Sequence, residues 1–192
     1  MDAGTGGELH VVRAALGSRP VIVVAHPDDE TLWAGGLPLL FPDRAWTIIA
    51  CSMPKSDPVR PEKFPAACAV LGATPQILPN VDKGPGHALD GLETLDLSPY
   101  DSFVTHGARG EYGHRHHVQV HDTVRALAGS RPVLTFGFGR GKIVLDLDTE
   151  TAAIKLRALK CYDHGRLPKW QELIRDHYLN GVSLERETYD LL

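Results

Sequence analysis

Two short segments concentrate the side chains that could do chemistry: Ala25-His26-Pro27-Asp28-Asp29-Glu30 and Gly113-His114-Arg115-His116-His117. They offer histidine and aspartate in the numbers a catalytic zinc takes, usually three protein ligands with a further position kept for water. Zinc lowers the pKa of such a water to about 7, so a neighbouring carboxylate can take a proton at neutral pH. A protonated imidazole can then steady an oxyanion and protonate a leaving amine. His26 and one aspartate from the first segment, with one histidine from the second, fill the ligand count. A carboxylate and an imidazole are left over. Adjacent aspartates cannot both point one way: with Asp29 on the metal, Asp28 is free to face the water. The chemistry implied is zinc-dependent amide hydrolysis.

The same residues admit plainer uses. Asp28, Asp29 and Glu30 would also suit the start of a helix near Thr31, where acidic side chains cap and complement the dipole. Glu30 could equally orient a metal ligand from behind. His117 and His121 share a helix face at four-residue spacing and form a rival chelating pair, while His114 and His117, three apart, can also address one centre. His106 and His121, taken singly, read as supports of the fold. Tyr112 could bring a hydroxyl to an oxyanion or simply pack.

These groups need a scaffold that aims them. Residues 20–25 form a continuous β-branched run ending at the first segment, and 46–51, 102–105, 132–136 and 142–147 are further strand candidates. Unbroken apolar runs suit strands covered on both faces. Helical patterns fall between them, at about 31–40, 61–71 and 115–128, with another after Asp148 ending near Asp163-His164-Gly165 and one over 168–180. This alternation predicts an α/β layered domain with a mostly parallel sheet and helices on both faces. In such sheets ligands collect at the carboxyl ends of strands, where His26, Asp28 and Asp29 fall, with Pro27 stiffening the turn. Pro and Gly punctuate 79–91, which reads as a loop over the site. Gly137-Phe138-Gly139-Arg140-Gly141 precedes a strand pattern rather than a helix, so it reads as a turn and not a phosphate cradle.

With 192 residues and no linker or repeat, a single domain over 1–192 is expected. Twenty Lys and Arg against 24 Asp and Glu give a net charge of −4, and no basic stripe points to a nucleic-acid partner. No apolar stretch approaches the ~20 residues of a membrane span. The first residues lack the charged and apolar parts of a signal peptide, and three scattered cysteines form no CxxC pair. The expected location is the cytoplasm.

The residues Ala25–Gly36 (AHPDDETLWAGG) and Thr105–His121 (THGARGEYGHRHHVQVH) resemble the PIG-L/LmbE family of N-acetylglucosaminyl deacetylases and related amidases. The likeness is clearest over 19–163. It implies a Rossmann-like fold, His26, Asp29 and His117 as ligands of Zn²⁺ (Fe²⁺ could take the same set), Asp28 as general base, His114 as acid or carbonyl-polarising group, and Tyr112 at the oxyanion. It also implies a small-molecule substrate, an acetamido sugar in a larger conjugate, that loses its acetyl group.

Two departures stand out. The family commonly reads His-Pro-Asp-His where this chain has His114-Arg115-His116-His117. An imidazole cannot stabilise a neighbouring imidazolium as a carboxylate does, so the pKa of His114 is expected to fall. His116 becomes a substrate-binding candidate. The family's substrate-contacting arginine is matched only by Arg60, between Pro58 and Pro61. Two other readings remain: an amidase or tailoring deacylase acting on a non-sugar amide, and a metal-binding module without catalysis.

Overall fold

The apolar runs become strands of one sheet. The computed structural model describes residues 4–55, 57–84, 86–162 and 184–192. Its elements run α1 (Gly4–Ala15), β1 (Pro20–Val24), α2 (Asp29–Ala34), α3 (Gly36–Leu40), β2 (Thr47–Ala50), β3 (Met53–Pro54), α4 (Arg60–Leu71), β4 (Thr74–Ile77) and β5 (Val81–Asp82). They continue with a 3₁₀ turn (Leu92–Thr94), β6 (Ser102–Thr105), α5 (Gly110–Gly113), α6 (Arg115–Ala128), β7 (Val133–Phe136), β8 (Ile143–Asp146), α7 (Thr149–Lys160) and β9 (Arg186–Leu191). The main sheet has seven strands in the order β4-β2-β1-β6-β7-β9-β8, and β3 pairs separately with β5. The first five of these run parallel, and β9 lies antiparallel to both its neighbours.

β1 is fully buried because both faces are covered. Its alternate residues enter two different cores. Ile22 and Val24 join Trp33, Leu37, Phe64 and Leu159 under α2, α3, α4 and α7. Val21 and Val23 join Phe103, Val120 and Val124 under α6. Two-sided burial removes any need for polar alternation, which is why these strands read as unbroken apolar runs. The expected α/β arrangement is therefore present. It places the ends of β1, β2 and β6 side by side, with the two histidine-bearing segments leaving β1 and following β6.

Several elements differ from expectation. The helix expected over 31–40 is two helices, Asp29–Ala34 and Gly36–Leu40. The break follows from Gly36, whose N–H goes to Glu187 Oε1 at 2.8 Å. A Cβ at Gly36 would meet the Leu147 and Glu187 side chains at 2.7 and 2.8 Å. Glu187 also takes Lys155 Nζ at 2.6 Å and the Tyr189 hydroxyl at 2.6 Å, so a buried ionic knot ties β9 to α3 and α7. α1, β3, β4, β5, the 3₁₀ turn, α5 and β9 are additions to the elements read from sequence, β5 falling within the segment read as a loop. The expected helix over 168–180 and the helix end at 163–165 lie outside the described residues. No helix among the described residues is long and apolar enough to cross a membrane.

Candidate metal centre

The turn after β1 is built around a strained residue. Asp28 has φ +110° and ψ −34° and makes no side-chain capping bond to α2. A non-glycine residue there costs on the order of 1–3 kcal/mol and persists only when its surroundings hold it. Here the Asp28 N–H donates to Glu30 Oε2 at 2.9 Å, and the Asp28 carbonyl accepts from Thr31 and Leu32 at 3.0 Å. Glu30, fully buried, also accepts the Thr31 hydroxyl at 2.6 Å and the Tyr162 hydroxyl at 2.7 Å. These bonds brace the turn, a use of Glu30 beyond the two expected from sequence. Capping by Asp28 is absent: its Oδ2 instead accepts from Arg60 at 2.9 Å.

Asp29 Oδ2 is the hub. It lies 3.3 Å from His26 Nδ1 and 3.4 Å from His117 Nε2. Each imidazole turns its other nitrogen to a different carboxylate, His26 Nε2 to Asp82 Oδ2 at 3.0 Å and His117 Nδ1 to Glu111 Oε2 at 2.5 Å. A carboxylate only accepts, so it holds the ring proton on that side and leaves the opposite nitrogen's lone pair turned to Asp29. His117 Nε2 is buried with no hydrogen-bond partner among the described residues. A lone pair facing a buried carboxylate calls for a cation between them.

In the metal-free chain a proton serves. Burial disfavours the imidazolium of His26, yet hydrogen bonds to Asp29 and Asp82 raise it to about 9. His117, equally opposed by burial, is raised to about 10 by Asp29 and Glu111. Against its own burial, Asp29 is held well below the usual carboxylate range by His117, His26 and His106. The donor set thus fits a divalent cation.

Among the described residues, three groups place ligand atoms within 4.8 Å of one another: His26–His114–His117, His26–Asp82–His116 and Asp29–His106–His117. Hydrogen bonds sort them. His106 Nε2 accepts the Ala25 N–H at 2.9 Å and its Nδ1 donates to Glu111 Oε2 at 2.9 Å, so its one lone pair is spent. Its ring stacks on His117 at 3.8 Å and braces it. His116 gives its Nε2 proton to the His87 carbonyl at 2.9 Å, leaving Nδ1 to face His26 Nε2 at 3.2 Å and Asp82 at 3.5 Å. The rival His117/His121 pair is not assembled: His121 Nδ1 bonds the His106 carbonyl at 2.8 Å and His121 joins none of the three groups.

The groups left for chemistry flank this cluster. Burial raises Asp28 to about 7, against the pull of Arg60. His114 stands with its ring 4.5 Å from His117 and 5.1 Å from His26, and its buried Nδ1 has no hydrogen-bond partner among the described residues. Burial, then the charges of His117 and His26, lower it to about 4. The direction matches expectation, but position 116 is only a minor cause. Tyr112 is 49% exposed, with its ring edge-on to His114 and His117 at 5.8 and 5.4 Å. It follows Glu111, whose φ of +55° turns that carboxylate inward.

No family model matches the sequence. Solved structures do. An N,N'-diacetylchitobiose deacetylase from Pyrococcus horikoshii superposes with a TM-score of 0.70 at 12% identity, covering 91% of this chain and 84% of that one. The hydratase GalB from Pseudomonas putida gives 0.62 at 16% identity over 92% and 96%. A zinc-inhibited form of a teicoplanin deacetylase gives 0.55 at 14% identity over 88% and 96%. The chain shares the fold of these solved structures. Identities this low speak for the fold alone.

On that fold, the residues expected from sequence fall into two sets. His26, Asp28, Asp29, His114, His117 and Tyr112 gather at one place. Arg60 and His116, expected at substrate, adjoin them: Arg60 bonds Asp28 and Asp57, at 2.9 and 3.3 Å, and His116 is fully buried behind His26. Asp82, Glu111 and Tyr162 were given no role from sequence. Glu111 lies inside the second motif, five and six residues from His106 and His117, and only the left-handed turn reveals its aim. Asp82 is 56 residues from His26 and carries no local signal.

Proposed function

We propose that the chain is a metal-dependent hydrolase that removes the N-acetyl group from an acetamido-sugar conjugate, releasing acetate and a free amine. The observation that carries this reading is the arrangement around Asp29 Oδ2. Two imidazole nitrogens face it at 3.3 and 3.4 Å, each oriented by its own carboxylate, with Asp28 and His114 standing beside them. A divalent cation, zinc or ferrous iron, held by His26, Asp29 and His117 would supply Lewis acidity toward an amide carbonyl and acidify a water.

The rest is work for the chain's own side chains. Asp28, raised to about 7, accepts the proton of the attacking water, and a base poised near the working pH is the efficient choice. Arg60 keeps that carboxylate in place. Asp28 then passes that proton to the departing amine. His114, neutral with its pKa lowered to about 4, donates its ring N–H toward the carbonyl oxygen as negative charge develops there. Tyr112 adds its hydroxyl to that oxygen. Asp82 and Glu111 orient the ligand rings, and His116, anchored to the His87 carbonyl, turns its Nδ1 lone pair to the His26 Nε2–H from behind.

The acetamido-sugar assignment draws on the deacetylases that share the fold and on the two sequence motifs. A hydratase shares the fold as well, and water addition to a double bond also needs a base and an acid. The two reactions differ in their products. Zinc-loaded protein is to be assayed for acetate and free amine from N-acetylglucosaminyl conjugates and unrelated acetamides, beside Asp28→Asn with its metal content measured. Equal acetate and amine, lost in the variant that still binds metal, is the expected result. Metal-loaded protein that releases neither from any amide refutes it.

A further inference from the structure

A second concave surface lies at the carboxyl ends of β6 and β7, one strand over from the metal centre. It is a cleft of about 630 Å³, within the size range of small-molecule sites. Arg109 reaches it from the loop after β6, Arg125 from α6, and Arg140 and Lys142 from the β7–β8 connection. None of these four cations makes a side-chain hydrogen bond, ion pair or ring contact among the described residues.

Two acidic residues also line the cleft, Glu111 and Asp190, and among the described residues neither forms an ion pair with these four cations. Glu111 serves His106, His117 and the Gly107 N–H, and Asp190 Oδ1 accepts the Lys142 N–H at 3.2 Å. A chain with net charge −4 thus gathers unpaired positive charge from three separate segments around one cavity. All four are exposed, so water screens their mutual repulsion, and a cleft rimmed by one sign of charge concentrates anions. The sequence pattern Gly137–Gly141, a turn rather than a phosphate cradle, forms one wall, with Phe138 at φ +47°. Strained residues of that kind collect at ligand sites. Arginine's planar fork matches phosphate oxygens two at a time.

We propose that this cleft binds a small polyanion bearing phosphate groups, at a site separated from the metal centre by Glu111. The proposal does not depend on the reaction assigned above. The test is calorimetric titration of the full chain, freed of metal by chelator so that no cation recruits the ligand, with pyrophosphate and, separately, citrate. Pyrophosphate is expected to bind saturably at one per chain and more tightly than citrate. Arg125→Gln and Arg140→Gln should each weaken it by about tenfold, the worth of a charge-assisted hydrogen bond. His26→Gln, which disables the metal centre, should leave it unchanged. Absent saturable binding, indifference to both arginine variants, loss in His26→Gln, or a preference for citrate would each overturn the proposal.

Discussion

Loading zinc onto the metal-free chain should expel close to two protons at pH 7 from the ligand histidines. His26 and His117 are raised to about 9 and about 10, so both are almost fully protonated there. Imidazoles with an ordinary pKa near 6.5 would each be about one-quarter protonated, for a release of about half a proton. A water that ionises on loading adds equally to both cases, so the two descriptions stand about one and a half protons apart. Calorimetric titration of zinc in buffers of different ionisation enthalpy gives the count, as the slope of observed against buffer enthalpy. A slope near the lower figure would refute the claim that Asp29, Asp82 and Glu111 hold these rings charged before metal arrives. The sign for stability follows. Folded pKa values above the unfolded one stabilise fully below about pH 6.5 and lose that effect as pH rises through 9 and 10. The metal-free chain should therefore weaken over that interval in urea unfolding.

Other substitutions test the supporting groups. Glu111→Gln leaves an amide that cannot accept from His106, His117 and the Gly107 N–H together, and should lower zinc affinity about 10- to 100-fold in chelator competition. Asp82→Asn keeps an acceptor for His26 but loses the charge, and should fall toward the lower end of that range. An effect of Asp82→Asn larger than that of Glu111→Gln would refute this ordering of the two braces. Lys155→Met strands the buried Glu187 charge and should cost about 3–5 kcal/mol in urea unfolding, with zinc affinity unchanged.

Much of the centre was legible because its parts are consecutive. His26, Asp28 and Asp29 follow a strand whose unbroken apolar run announces burial on both faces, and His114 and His117 open a helix. Consecutive residues at a strand's end must share a site. The bracing groups were hidden for reasons of distance and backbone. Asp82 meets His26 across 56 residues, from a segment whose proline and glycine signal only a loop. Glu111 is aimed by a positive φ that no periodicity encodes.

In the scaffold, β4 was missed because Pro75 and largely exposed neighbours mask an edge strand. β9 was missed because Glu187 is buried by virtue of Lys155 and Tyr189, partners that the strand's polar sequence does not suggest. The same contact split the helix at Gly36. Local pattern thus revealed the apolar framework and the ligands, while long-range polar pairing decided the remainder.

The most direct measurement is anomalous diffraction at the zinc edge from crystals of the loaded protein. The account predicts a single peak bonded to His26 Nδ1, Asp29 Oδ2 and His117 Nε2, with Asp82 and Glu111 still hydrogen-bonded to the far sides of the two rings. A peak lying instead among His26 Nε2, Asp82 and His116 would contradict it.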